Sequence, residues 1–441
     1  VSTIILGGGI AGLSLAHFLK SSSMVLEKES QLGGLSRSFV MNGVPYDIGP
    51  HIIFSKNQEV LKLHTTLIET NKIRRSNRIY HKGVFVKYPF ENDLAALEPE
   101  ERDYCLHEFL NNPYENYPAG NMQQFFLKTF GEGITRLYLQ PYNQKIWKLD
   151  PSCLDTQMVE RIPKPPREDV IKSAQGIATE GYTHQLYFHY PKEGGFQTLV
   201  KAYAEKALAK CEIVRQATVE RVRKQGARWQ VYTNRGLFEG DTLVNCMPLH
   251  ELFRCLEAPA EAGRIDNPSY DEARATVERL KFNSIHIVVV QAKKDDLGEN
   301  FAVYFADPGI LFHRLSKLNS LGEGYCLPGG GSSLMAEITF RPNSYLQNLD
   351  REAIKRRVVA DLAKLNLIDN ADVLDVDVKT FPYAYVIYDL NHRKNTDFVL
   401  NYLSKIGIAC CGRFAEFEYL NSDGVVERTR KLADRLNGDC S

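Results

Sequence analysis

The first 27 residues constrain this chain more than any other stretch. Residues 2–6 read as a short, Ile-rich buried strand, and Gly7-Gly8-Gly9-Ile10-Ala11-Gly12 fits the pattern GxGxxG. Residues 13–20 read as a helix, and the apolar pair Val25-Leu26 ends in Glu27. Strand, glycine turn, helix, strand and terminal acid, in that order, make a dinucleotide-binding α/β unit. Gly7 permits the tight turn, Gly9 lacks the Cβ that would hold a pyrophosphate away, and Gly12 lets the helix approach the sheet. The helix start at Ile10 and Ala11 offers N–H groups and a positive dipole end to phosphate. Glu27, fifteen residues beyond Gly12, is placed to accept hydrogen bonds from a ribose, with Lys28 beside it.

A glycine-rich turn alone is weak evidence, but a second element follows. Gly33-Gly34-Leu35-Ser36-Arg37 comes shortly after the ribose acid. That extension belongs to FAD proteins rather than NAD proteins, so FAD is the expected cofactor. Gly34, Leu35 and Ser36 join Gly7, Gly9, Ile10, Ala11, Gly12, Glu27 and Lys28 as expected cofactor contacts. The bland alternative is a Rossmann scaffold without a nucleotide.

Composition narrows the rest. The 441 residues carry 54 Lys plus Arg against 54 Asp plus Glu, with 44% hydrophobic and 24% charged residues. Such a chain buries a large core and is not disordered. Zero net charge excludes bulk capture of nucleic acid or an anionic membrane, so an anionic ligand must be held by local Arg, Lys or helix ends. The nine cysteines include no CxxC pair and no zinc spacing, so no metal is expected; reduced thiols and a cytoplasmic setting are. Residues 1–19 are apolar but glycine-rich and lack a basic leader, which predicts neither a signal peptide nor a membrane span.

Residues 39–53 read as a hairpin turning at Asn42-Gly43, and 77–88 as another at Lys82-Gly83. Helical patterns run over 93–161, and 162–167 (IPKPPR) is a loop. A Gly194-Gly195 turn leads to an amphipathic helix, and 212–246 alternates as strands. Further strands are expected at 283–292, 301–306, 310–315, 334–340 and 406–411, with helices at 350–365 and from 422. The expected fold is α/β: a doubly wound, Rossmann-like FAD-binding domain with a helical insertion and a mostly antiparallel sheet domain for substrate. The FAD domain is discontinuous (1–75, 188–250, 400–441), with a helical domain at 93–187 and the sheet domain at 76–92 plus 251–399. Arg413, after the 406–411 strand, and Asn421, Ser422 and Asp423, at the start of the last helix, belong with FAD; the alternative for Arg413 is a brace between lobes.

Several further motifs occur in one order: YDIGPHIIFS (46–55), KYPFEN (87–92), GEGITRLYLQPYNQKIW (131–147), YPKEGG (190–195), LFHR (311–314) and GRFAEFEYLNSD (412–423). Together with the nucleotide turn, they resemble the UDP-galactopyranose mutases, particularly the eukaryotic-type branch, over most of the length. The resemblance implies interconversion of the pyranose and furanose forms of a nucleotide-linked hexose, most simply UDP-galactopyranose and UDP-galactofuranose. It implies reduced FAD as covalent catalyst, through an adduct between flavin N5 and the sugar, with NADPH as a possible electron donor. Self-association is left open.

The resemblance also carries roles to single residues. Arg161 and Arg314 would hold the diphosphate; a surface arginine, or for Arg161 a pair with Glu160, is the plain alternative. His51 would stand beside the flavin, although Pro50 occupies the position where the family usually has Gly. Tyr304, Tyr385 and Tyr419 would contact diphosphate and pocket, and Asn143 and Trp147 the sugar or flavin edge. Phe54, Tyr88, Phe90 and Glu91 would form the base-binding end. Fungal relatives have Gln in place of Glu91; an ionised Glu only accepts hydrogen bonds, which suits guanine better than uracil. The competing expectations are an FAD oxidase or desaturase of the amine-oxidase and protoporphyrinogen-oxidase superfamily, and a flavin-bearing nucleotide-sugar binder without activity.

Overall fold

The structure, a computed structural model, describes residues 1–159, 162, 164–179, 186–258 and 269–438. The Thr3–Leu6 strand is buried at every residue, which a strand covered on both faces requires. It pairs in parallel with Ser23–Glu27 on one side and Thr242–Asn245 on the other. Cys211–Arg215 and Ile408–Cys410 extend this to a five-stranded parallel sheet, so its strands come from three distant stretches of chain. Helix Ile10–Phe18 buries Ile10 through Ala16 and packs against helices Gln197–Ala207 and Ser422–Leu436. Inside that contact Ser14 Oγ lies 2.9 Å from Thr429 Oγ1, so the two buried hydroxyls satisfy each other.

A second sheet has seven strands, in the order Val373–Val386, Phe282–Ala292, Ser332–Phe340, Arg314–Lys317, Ala302–Phe305, Asn77–His81 and Val84–Lys87. All neighbours are antiparallel except Ala302–Phe305 with Asn77–His81. One face meets the main core, which also takes in helices Pro99–Leu110, Met122–Ile134 and Gln140–Trp147; helix Arg351–Lys364 covers a separate apolar cluster around Val288, Phe305 and Phe312. No described helix is long and apolar enough to cross a membrane.

The two hairpins form where their turns predict, with Asn42-Gly43 at φ 46° and 84° and Lys82-Gly83 at 45° and 94°. Other boundaries differ from expectation. Residues 310–313 are not strand: Ile310 and Phe312 are buried from a loop, and pairing begins at Arg314. Arg167 opens helix Arg167–Ala174 behind Pro166, so the 162–167 loop ends one residue early. Helix His392–Ile406 runs into the expected 406–411 strand and stops at Gly407, φ 88°, leaving Ile408–Cys410 as strand. The helical stretch is broken inside Met122–Ile134 by Gly131 at φ 74°, ψ 177°.

Helix Gln58–Leu67 closes the outer side of the nucleotide layer, where His64 is 1% exposed against the Tyr203 ring. Burial, only partly offset by Asp423, lowers the His64 pKa from 6.5 to about 4. The folded state therefore resists a proton that the unfolded chain takes up below about pH 6.5, and stability falls as pH drops from there toward 4. Between pH 7 and about pH 4.5 His64 should account for on the order of 2–3 kcal/mol of lost stability. Urea unfolding of His64→Leu at the two pH values should show a loss smaller by that amount; an unchanged acid arm would refute the assignment.

Candidate active site

The glycine turn shows what each position does. Gly7 sits at φ 105°, and a Cβ on Gly12 would lie 2.1 Å from the Gly7 carbonyl oxygen, so Gly12 is required by the protein's own packing. A Cβ on Gly9 would meet nothing nearer than 3.8 Å. The protein leaves that space open, and helix Ile10–Phe18 has no side-chain cap, so its first N–H groups are available to an anion. Glu27 accepts from the Gly8 N–H at 2.7 Å and the Glu29 N–H at 2.9 Å, which aims the carboxylate while keeping lone pairs for a ribose. Gly8, not singled out in the sequence, is held small by Glu27 and Leu32, whose atoms would lie 2.9 Å from a Cβ. Gly34 is at φ 56° and adjoins Gly9; Ser36 is buried, Leu35 half-buried and Lys28 exposed. These residues fit a dinucleotide such as FAD.

Asn421, Ser422 and Asp423 form another helix start without a side-chain cap, at Ser422–Leu436. Arg413 donates to Leu420 O at 2.9 Å and Ala384 O at 3.2 Å, with its guanidinium 4.5 Å from the Tyr419 ring centre. It thus ties the Gly412 loop to the seven-stranded sheet, the bracing role weighed for it above.

The sheet register builds the cleft. Arg314 pairs directly with Tyr304 on one neighbouring strand and with Glu337 on the other. Its Nε and Nη2 bind Glu337 Oε1 and Oε2 at 2.5 and 2.7 Å, and the Tyr385 hydroxyl lies 3.4 Å from Oε2. Burial opposes the Arg314 charge, but Glu337 outweighs it and holds the guanidinium protonated. One two-pronged edge, Nε with Nη2, is therefore taken by Glu337, and the outer edge with Nη1 lies beyond that pair.

Aromatic rings line this row. Tyr304 packs on Tyr88 at 5.3 Å and on Tyr142 at 5.6 Å, and its hydroxyl accepts from Asn77. Tyr385 stacks on Tyr419 at 6.0 Å and 9°, and both meet the Trp147 edge. The Asn143 amide is engaged within its own helix, accepting from Trp147 Nε1 at 2.9 Å and donating to Leu139 O at 2.7 Å, which fixes the indole. A cavity of about 710 Å³ opens beside Tyr88, lined by Arg74, Arg75, Arg78 and Lys87.

His51 follows Gly49-Pro50, and a Cβ on Gly49 would come 2.9 Å from Glu337 Oε2, so the His51 loop lies against the Arg314 pair. Burial first, then the Arg413 and Arg314 charges, lower the His51 pKa to about 4 against a backbone contact at Gly49; Nδ1 is buried without a hydrogen-bond partner. The ring is a neutral imidazole at pH 7.

Not every expected residue joins this group. Phe90 is fully buried and stacked on Tyr138 at 5.2 Å and 11°, so its ring is core rather than a platform for a base. Glu91 is 2% exposed, in the short helix Phe90–Asn92, and does not point to solvent. Phe54 is half-buried against the main core. Arg161 lies outside the described residues. Among the described residues no cluster of metal-ligating side chains occurs. Glu337 went unread in the sequence, though a lone acid in the apolar run SSLMAEITF was its signal.

Residues 10–398 match the family model described as flavin containing amine oxidoreductase. Among solved structures, a reduced UDP-galactopyranose mutase superposes with a TM-score of 0.90 at 22% identity, covering 100% of this chain and 94% of that one. A putative protoporphyrinogen oxidase from Exiguobacterium sp. 255-15 has a TM-score of 0.75 at 15% identity, covering 100% and 99%. Cyclohexylamine oxidase from Brevibacterium oxydans IH-35A has 0.67 at 14%, also covering 100% and 99%. At these identities the likeness is one of fold.

The glycine turn separates ligand room from packing room. Gly9→Val should keep the stability of the cofactor-free chain within about 1 kcal/mol while abolishing the yellow colour of the purified protein. Gly12→Ala should cost the cofactor-free chain about 1–3 kcal/mol. Visible absorbance with urea unfolding checks both; a Gly9→Val protein that keeps its flavin would refute the placement.

Proposed function

The chain belongs to the flavin containing amine oxidoreductase family, and from that premise we propose that it is a reduced-FAD-dependent mutase interconverting the pyranose and furanose forms of a nucleoside-diphosphate hexose, most simply UDP-galactose. The observation that carries this reading is the donor set of the cleft: Arg314 is fixed at its floor among Tyr304, Tyr385, Tyr419 and Trp147, with Arg413 over Tyr419. Guanidinium and phenol donors suit the oxygens of a diphosphate better than an amine, which is itself a donor. The bound reduced flavin would supply the nucleophile for the sugar's anomeric carbon.

The chain's own groups do the rest. Arg314 Nη1 and the Tyr304 hydroxyl, which accepts from Asn77 and keeps its own proton, offer donors to a departing phosphate oxygen, and the aromatic walls of Tyr385, Tyr419 and Trp147 exclude water from the sugar. Neutral His51 offers one donor and one acceptor without adding charge. Arg161 is proposed as the second diphosphate cation, and Tyr88 as the edge of the base site. The cation-lined cavity beside Tyr88 gives phosphate groups an approach. NADPH is proposed as the reductant, in the cytoplasm, where the cysteines stay thiols.

Family membership itself favours a second reading, an oxidase or desaturase. It requires an electron acceptor consumed one for one with product, whereas a mutase consumes none. Dithionite-reduced enzyme should convert UDP-galactofuranose to UDP-galactopyranose, and the oxidised enzyme should not. Arg314→Lys, which keeps the charge but loses the fork, should lower turnover roughly 10–100-fold. Failure of the reduced enzyme on UDP-, GDP- and dTDP-hexoses would refute the proposal.

A further inference from the structure

Glu337 is fully buried, the lone charge in the strand Ser332–Phe340. Its carboxylate touches three parts of the cleft: the Arg314 fork at 2.5 and 2.7 Å, the Tyr385 hydroxyl at 3.4 Å, and the backbone at Gly49, where a Cβ would stand 2.9 Å from Oε2. A buried arginine with a free fork would grip two phosphate oxygens at once. Here the carboxylate holds the Nε–Nη2 edge, so the pair carries no net charge and leaves an anion only the outer Nη1–Nη2 edge, whose Nη2 is already shared with Glu337. A second anion approaching Nη1 also meets the repulsion of Glu337 at short range, in surroundings that screen it poorly. Both effects weaken ground-state binding of a diphosphate while keeping Arg314 in place for one that is forming or rejoining.

Resting on the reading of Arg314 as a diphosphate ligand, we infer that Glu337 is a positioning residue that occupies one edge of Arg314, neutralises it toward an anionic ligand and thereby holds down the affinity of the cleft for free nucleoside diphosphate. A merely structural role predicts the opposite sign, because loosening the cleft would weaken every ligand.

The test is isothermal titration of the oxidised, FAD-loaded full chain with UDP, and with inorganic pyrophosphate as a base-free probe. Glu337→Gln should bind both at least about threefold more tightly than the unmodified protein, while turnover falls with a lowered KM. Glu337→Asp keeps the charge but draws the guanidinium back, so its UDP affinity should stay within about twofold while turnover drops roughly tenfold. This second variant decides the matter if Glu337→Gln fails to fold: a marked tightening of UDP in Glu337→Asp overturns the inference. Unchanged or weaker UDP binding in a folded Glu337→Gln protein overturns the inference alone. An unmodified protein that binds neither probe overturns it together with the diphosphate reading.

Discussion

The buried carboxylate of Asp47 is the junction on which the cleft depends. Oδ1 accepts from Ser38 Oγ at 2.5 Å and from the Phe196 N–H at 3.0 Å, and Oδ2 accepts from the Tyr190 hydroxyl at 2.5 Å. One side chain thus joins the Ser38–Met41 and Val44–Asp47 hairpin, the Tyr187–Pro191 strand and the start of helix Gln197–Ala207, where a negative charge is also favoured by the helix dipole. Burial, against those three hydrogen bonds, raises its pKa to about 6. Gly195 must remain glycine, because a Cβ there would lie 2.4 Å from Ser38 Oγ and 2.8 Å from Asp47 Oδ1.

That junction also sets His51. The segment after Asp47 is pinned again at Ile53, which exchanges backbone hydrogen bonds of 2.8 Å with His189 on the same strand that carries Tyr190. Ile48, Gly49, Pro50, His51 and Ile52 therefore span two fixed points, Pro50 removes one backbone freedom, and the Phe196 ring lies 5.2 Å from the imidazole. The carboxylate that orders the nucleotide layer and the ring that faces the cleft are connected through a few residues.

Much of this was legible in the sequence, for physical reasons that differ by element. The glycine turn and the two hairpins are local: their positive-φ positions are filled by Gly7, Asn42-Gly43 and Lys82-Gly83, so sequence and conformation are tied within four residues. Helix His392–Ile406 was missed because, despite Asn391 at its cap position, its first turn holds no acidic residue and carries Arg393 and Lys394 instead, and its polar face dominates composition. The Val373–Val386 strand was missed because it alternates toward solvent and contains Pro382. The site splits likewise. Arg314, Tyr304, Tyr385, Tyr419 and Trp147 could be named from motifs, but their commitments could not. Glu337 holding the Arg314 fork, Asn143 turned inward to Trp147, and Phe90 stacked on Tyr138 follow from strand register and helix packing, both long-range.

A frame shared by proteins named as mutases and oxidases means that layer order and sheet topology do not choose the reaction. The choice lies in what the second sheet presents to the nucleotide layer. In this chain one register row places a phenol, a guanidinium and a carboxylate side by side, and the neighbouring loop adds a second guanidinium on an aromatic face. An amine must lose a proton or find an uncompensated acid to dwell in such a cleft, and Glu337, the acid of this row, is already bound in a two-point ion pair. An anionic group meets directed donors and apolar walls instead. The neutral His51 ring adds polarity without shifting that balance at pH 7. The register of three strands, more than the nucleotide motif, therefore sets which groups this cleft presents to a ligand.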